Sequence, residues 1–281
     1  DSYEKFEKWA ETVPYTMRNP LYHWTHLELA RAFGIYDILN PSSARAIYEE
    51  CTAKLQTEEY RGQALMRKFN VSVGCTTDDP ADSLEHHRRI QEKPFGTKVL
   101  PTWRPDKAMN IEKVDYLDYI AKLEEVSGVS IHSFKDVCEA LEKRLNFFVE
   151  CGCKITDHGL DFVMYEPATD EEVEAVYAKR KQNIYLTKKE ILQYKTALLV
   201  FLGKAYFDRN MTMQLHYGVR RDLNKRIFNR FGPDAGIDSI NDMAPAGQRY
   251  AYYRVDKAAA WLLLSRLYLN APVYLAKSDA E

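Results

Sequence analysis

Four short β-rich runs in this sequence are each followed by polar residues that could bind a small molecule or move a proton. The four strings are Thr76-Thr77-Asp78-Asp79, Trp103-Arg104-Pro105-Asp106, Thr156-Asp157-His158 and Gln214-Leu215-His216. Core strands do not need Asp, Arg or His at one consistent end. In (β/α) barrels and open α/β sheets that end is where substrates bind. The pattern therefore predicts a small-molecule site at the strand ends.

The sequence predicts different roles for Asp78 and Asp79, the two adjacent aspartates of the first string. Neighbouring side chains of a strand point to opposite faces, so we expect Asp78 to enter a pocket as a catalytic group. Asp79 precedes Pro80, which suits an N-cap followed by proline at the first helical position. The alternative is that both acids cap the helix.

Arg104 and two histidines are the other candidates. Pro105 fixes the backbone after Trp103 and Arg104, and an arginine held in this way can grip a carboxylate bidentately. The alternative is a structural ion pair with Asp106. His158 and His216 end two different strands and are predicted to be catalytic, the alternative being histidines satisfied within the core or on the surface.

Hydrophobic periodicity divides the chain into a helical first part and an alternating second part. Residues 1–69 show helical spacing over 4–13, 21–33, 44–55 and 58–69. Beyond them, strands predicted at 71–77, 98–103, 153–156 and 211–216 alternate with helices at 81–92, 114–126, 134–150, 170–181 and 188–207. Two helices start with a capping box, Thr169/Glu172 and Thr187/Glu190. Such alternation predicts βαβ units and a parallel sheet.

Composition excludes several partners. The 281 residues carry 39 Lys and Arg against 41 Asp and Glu, without the basic excess of a nucleic-acid binder. The longest apolar runs have seven residues, whereas a membrane helix needs about 20. His86 and His87 lie in a charge-rich stretch that we expect to be solvated. The five cysteines are odd in number and scattered, which indicates free thiols in a reducing cytosol and a cytoplasmic protein.

Several strings resemble uronate isomerase, also called glucuronate isomerase, of the amidohydrolase superfamily. They are NPLYHWTHLELARAFGI, CTTDDPADSLEHH, LPTWRPDKAMNIE, CKITDHGL, MQLHYG and RFGPDAGIDSI, colinear over residues 1–240. The resemblance implies an α/β fold, an incomplete (β/α)8 TIM-type barrel over 70–240 with a large N-terminal helical insertion over 1–69. It also implies interconversion of D-glucuronate with D-fructuronate, and of D-galacturonate with D-tagaturonate, by proton transfer between C1 and C2.

The resemblance also implies site residues and a metal. It places Arg104 on the sugar carboxylate, with Trp103, Asp106 and Arg221 as further substrate-binding residues. A divalent zinc or manganese ion is expected for the family, held partly by a His-x-His pair and a further Asp. Neither of those motifs is found here, so no metal ligand is assigned, and we expect little or no activity from this chain alone.

Residues 241–281 are expected to form a helical tail of a different origin from the rest of the chain, because residues 247–274 resemble a helix of SusD-like glycan-binding proteins. Two alternatives therefore stay open, a non-catalytic glycan-binding module and a metal-dependent hydrolase on the same scaffold. A homo-oligomer is a further expectation.

Overall fold

The computed structural model describes residues 2–232 and 238–240, and the predicted tail lies outside them. The helices are α1 (Ser2–Thr12), α2 (Pro20–Glu28), α3 (Ala44–Leu55), α4 (Gly62–Lys68), α5 (Glu85–Glu92), α6 (Asp106–Met109), α7 (Tyr116–Ser127), α8 (Phe134–Glu150), α9 (Asp170–Lys181), α10 (Lys188–Asp208) and α11 (Lys225–Phe231). The strands are β1 (Val73–Cys75), β2 (Lys98–Leu100), β3 (Thr102–Trp103), β4 (Ile155–Thr156), β5 (His158–Leu160), β6 (Leu215–Tyr217), β7 (Val219–Arg220) and β8 (Ser239–Ile240).

The described chain forms two compact units, and the first comprises Asp1–Thr76 and Ser83–Pro101. It holds α1 to α5 and the parallel pair β1–β2. Asn19 starts α2 by accepting the Leu21 N–H, with Pro20 at the first helical position. A single π-helical turn, Leu29–Phe33, then ends at Gly34 with φ +72°, the left-handed conformation that glycine adopts without strain. The apolar core of this unit consists of Ala10, Val13, Leu29, Ile35, Leu39, Ala44 and Ile47.

The second unit comprises Thr77–Asp82 and the described residues from Thr102 onward. Strand β3 pairs in parallel with β4, and β5 pairs in parallel with β6. Single parallel bridges join Asp78 to Trp103 and Ile155 to Thr212. Strands β7 and β8 form an antiparallel pair. The parallel pairing that the sequence predicts is therefore confirmed within the described residues, whereas β5, β7 and β8 were not predicted.

Long helices cover these strands with aromatic side chains. Trp103 is completely buried and packs edge-on against Phe148 of α8, with ring centroids 4.9 Å apart. The hydroxyl groups of Tyr116 and Tyr194 lie 2.6 Å apart in the core, and Tyr194 also donates to the Ala108 carbonyl. Buried hydroxyls need such partners, because an unpaired polar group in the core costs about 1–3 kcal/mol.

Helix starts were predicted well where a side chain caps the helix. Both capping boxes, at Thr169 and Thr187, are present. The expected N-cap at Asp79 is wrong, because α5 begins only at Glu85 and Asp79 instead accepts the Ala81 N–H within a turn. His87 is buried rather than solvated, with Nε2 2.7 Å from Thr76 Oγ1.

Residues 83–101 group with the N-terminal helices, and the predicted domain boundary at residue 69 stays a prediction. Among the described helices, none is both long and apolar enough to cross a membrane.

Replacing Thr187 with Ala is expected to destabilise the chain by about 1 kcal/mol, because it removes the acceptor that caps the Glu190 N–H at the start of α10. Thr187→Ser keeps that acceptor and is the matched control. Urea unfolding followed by circular dichroism measures both variants. Equal unfolding midpoints for Thr187→Ala and the unaltered chain would contradict the capping role.

Candidate functional site

The carboxylate of Asp157 is the centre of the candidate site. Its side chain is only 7% exposed, and Oδ2 lies 2.6 Å from Arg104 Nη2. The other oxygen, Oδ1, lies 3.2 Å from His216 Nε2, but the geometry of this contact is not that of a hydrogen bond. A buried carboxylate needs such cationic or hydrogen-bonding neighbours, because desolvation otherwise penalises its charge. Arg104 and His216 are about one third and one half exposed, so both can also meet a ligand.

Backbone hydrogen bonds join all four of the sequence strings around this place. The Asp157 N–H donates to the Trp103 carbonyl, and the Arg104 N–H donates to the Asp78 carbonyl. His158 in turn donates its N–H to the Gln214 carbonyl. The ends of β3 and β4 and the start of β6 are therefore adjacent.

Asp106 closes the site on the side of Arg104. Both of its carboxylate oxygens lie 3.1 Å from the Gly159 nitrogen and accept its N–H. Oδ2 lies 3.9 Å from Arg104 Nε, so the ion pair foreseen as an alternative exists as a long contact. Burial raises the pKa of Asp106 to about 6, although the Gly159 N–H and the Arg104 charge oppose the rise.

Two predicted site residues are completely buried. Trp103 and His158 have no exposed surface, so neither offers a direct contact to a substrate in this arrangement. The His158 ring lies 5.6 Å from the Tyr206 ring, and within the described chain neither of its ring nitrogens has a hydrogen-bond partner. Burial lowers the pKa of His158 to about 4, which keeps the imidazole neutral at pH 7.

The strand-end positions of the histidines require a correction. His158 and His216 do not follow their strands but lie within β5 and β6, where Gly159 is the partner of His216. Side chains alternate along a strand, so Asp157 and His158 face opposite sides. Only Asp157 faces Arg104 and His216, and it is the functional candidate that the sequence analysis did not select.

The remaining predicted residues make contacts of their own. Asp78 Oδ2 accepts the Thr102 N–H, while Asp79 accepts the Tyr119 hydroxyl and lies 3.4 Å from Lys107 Nζ. Arg221 Nη1 lies 3.5 Å from Asp238 Oδ2. The catalytic role of Asp78 and the substrate contact of Arg221 stay predictions.

The described residues do not fit the zinc or manganese ion that the family resemblance implies. Among residues 2–232 and 238–240, no three His, Cys, Asp or Glu side chains lie close enough together to hold a metal ion. A stable protein site for zinc usually has three or four such ligands.

Comparison with known proteins identifies the family. The family model for glucuronate isomerase matches residues 1–262. The uronate isomerase of Bacteroides thetaiotaomicron is 52% identical over 245 residues, which are 87% of this chain and 52% of that protein. The uronate isomerase of Lachnoclostridium phytofermentans is 52% identical over 239 residues, 85% of this chain and 51% of that protein.

Solved structures agree with this result. The uronate isomerase of Thermotoga maritima superposes with a TM-score of 0.83 at 34% identity, over 95% of this chain and 56% of that one. The glucuronate isomerase of Caulobacter crescentus gives a TM-score of 0.80 at 28% identity, over 95% and 53%. The chain belongs to the glucuronate isomerase family.

The extent of the match adds two facts. The chain spans about half the length of the curated relatives it matches. The family match continues to residue 262, beyond residue 240 where the sequence resemblance was expected to end. The resemblance of residues 247–274 to SusD-like proteins finds no support in these comparisons.

The raised pKa of Asp106 predicts a pH dependence of stability. The unfolded carboxyl loses its proton near pH 3.8, whereas the folded one keeps it to about pH 6. This contribution is therefore fully present below about pH 3.8 and is lost as the pH rises through 6. Asp106→Asn cannot titrate, so the unaltered chain should lose roughly 2–3 kcal/mol relative to that variant between about pH 3.5 and about pH 7.5.

Urea unfolding of both proteins at the two pH values measures this difference. Subtracting the variant removes the titration of all other groups. A difference in the free energy of unfolding that stays constant with pH would show that Asp106 has an ordinary pKa.

Proposed function

We propose that this chain carries part of the active site of a uronate isomerase, with Arg104, Asp157 and His216 as the working residues. The observation that carries the proposal is the buried Asp157 carboxylate between a cation and an imidazole, both partly open to solvent. Membership of the glucuronate isomerase family supports the reaction.

Arg104 is proposed to bind the carboxylate of the hexuronate. Asp157 occupies Nη2, which leaves other N–H groups of the guanidinium for a ligand. Pro105 and the Asp78 carbonyl fix the backbone beneath this side chain, so less freedom is lost when a carboxylate binds. A carboxylate also suits this position because a hydrogen bond to a charged partner contributes about 1.5–3 kcal/mol.

His216 is proposed to move the proton between the two carbons, with the Asp157 carboxylate beside its ring. Asp157 faces Nε2, so Nδ1 is the nitrogen turned to a substrate. In the aldose, removal of the C2 proton leaves an electron pair that forms the C1–C2 double bond as the aldehyde oxygen takes up a proton. Return of a proton to C1 and loss of the O2 proton through water then give the ketose.

The finer architecture also remains a proposal. Parallel strand pairs joined by helices, and the likeness to two solved isomerases, support an incomplete (β/α)8 barrel with a helical insertion. No comparison favours the hydrolase or the glycan-binding alternative. Zinc or manganese stays an expectation from the family, and no step here is routed through it. Assembly into a homo-oligomer is a prediction.

The carboxylate assignment predicts the effect of Arg104→Ala on hexuronate binding. We expect D-glucuronate to bind the full chain and the variant to bind it about 10-fold or more weakly, because a charge-assisted pair is lost. Isothermal titration calorimetry measures both. D-glucose, which lacks the carboxylate, is the ligand control, and Arg226→Ala at an exposed position is the control variant.

Turnover of D-glucuronate by the same proteins, with zinc or manganese added, tests the proton transfer. His216→Asn is expected to abolish any conversion to D-fructuronate, whereas His132→Asn at an exposed position is expected to leave it unchanged. Undiminished binding by Arg104→Ala, or unchanged conversion by His216→Asn, would overturn the respective role.

A further inference from the structure

Asp106 and Gly159 form a close contact that the proposed reaction does not use. The carboxylate lies astride the Gly159 N–H, with both oxygens at 3.1 Å. A Cβ at position 159 would stand only 2.8 Å from Asp106 Oδ2, closer than carbon and oxygen approach without displacement. The backbone angles of Gly159 do not themselves require glycine, since its φ is not positive. A side chain at position 159 would therefore have to displace the Asp106 carboxylate.

The contact joins the two sides of the Arg104–Asp157 pair. Asp106 follows Arg104 by two residues, and its position is fixed by Pro105 and the first turn of α6, in which Asn110 donates to the Asp106 carbonyl. Gly159 follows Asp157 by two residues, at the register position opposite His216. The Asp106 side chain therefore joins the segment that carries Arg104 to the segment that carries Asp157 and Gly159, the residue paired with His216.

We propose that Asp106 is a positioning residue, which holds Arg104 and Asp157 in register by binding the Gly159 N–H, rather than a substrate ligand. This proposal rests on the proposed function for its catalytic consequence. The contact itself can be tested without turnover. Because Gly159 is exposed, water can solvate its N–H when Asp106 is removed, so Asp106→Ala is expected to stay folded.

A double-mutant cycle tests the contact. Gly159→Ala is expected to lower the Tm of the full chain by about 3–6 °C, since the added methyl group displaces the carboxylate. In the Asp106→Ala background the same change should leave the Tm equal or slightly higher, because the atom it would meet is gone and alanine restricts the unfolded chain. Equal losses of Tm in both backgrounds would overturn the proposed contact.

Arginine labelled with 15N tests positioning separately from stability. The Arg104 Nε–H resonance, assigned by its loss in Arg104→Lys, is expected to exchange slowly in the unaltered chain and in Asp106→Asn, which keeps an acceptor oxygen. Asp106→Ala should exchange it at least about 10-fold faster. Equal exchange in all three proteins would show that Asp106 does not position Arg104.

Kinetics connects the contact to the reaction. If the chain converts D-glucuronate, Asp106→Ala should lower kcat by about 10- to 100-fold with KM changed less than about 3-fold, as expected for a misplaced group, and Asp106→Asn should restore most of kcat. A raised KM with unchanged kcat would instead make Asp106 a substrate ligand. Absence of binding and turnover in the unaltered chain would count against the proposed function alone, because the cycle and the exchange rates still decide the contact.

Discussion

A carboxylate that is almost fully buried needs cationic or hydrogen-bonding groups beside it. In the second unit, Asp157 is such a carboxylate. Arg104 satisfies one oxygen at 2.6 Å and His216 faces the other at 3.2 Å. Taking away one partner of a buried pair costs more than the pair contributes, because the remaining charge stays desolvated. One carboxylate thus lies between a side chain that follows β3 and a side chain of β6.

The helices pack against the faces of the strands that point away from Asp157. Trp103 packs on Phe148, and His158 packs beside Tyr206, so the faces of β3 and β5 that point away from the site are filled with rings. Such packing leaves little room for rotation of a strand, since interiors are dense and core rings have few rotamers. Trp103 and His158 are fully buried beside Arg104 and Asp157, and their predicted roles stay predictions.

Much of the local structure could be predicted from sequence, and the failures have a common cause. The helix 134–150 and the Thr169 and Thr187 caps follow from local hydrogen bonding and periodicity, which neighbouring residues determine. The sequence favours His158 over Asp157 as the catalytic residue, because histidine is the usual proton carrier near neutral pH. Side chains of neighbouring strand residues point to opposite faces, so only one of Asp157 and His158 can face the site. The same rule separates Asp78 from Asp79. Whether Asp157 or His158 faces the site depends on long-range pairing that no local pattern contains.

The charges of the cluster set a further condition on any ligand. Arg104 contributes one positive charge, against which Asp157 and Asp106 contribute two negative ones when both are ionised. A hexuronate would add a third negative charge close to Arg104, and like charges at a few ångströms repel strongly where water is excluded. Below about pH 6 the raised pKa of Asp106 relieves this imbalance, because the retained proton removes one of the charges while the carboxyl still accepts the Gly159 N–H. The position of Asp106 thus affects both geometry and charge: its oxygens accept the Gly159 N–H, and below about pH 6 its protonation weakens the competition with a substrate carboxylate for Arg104.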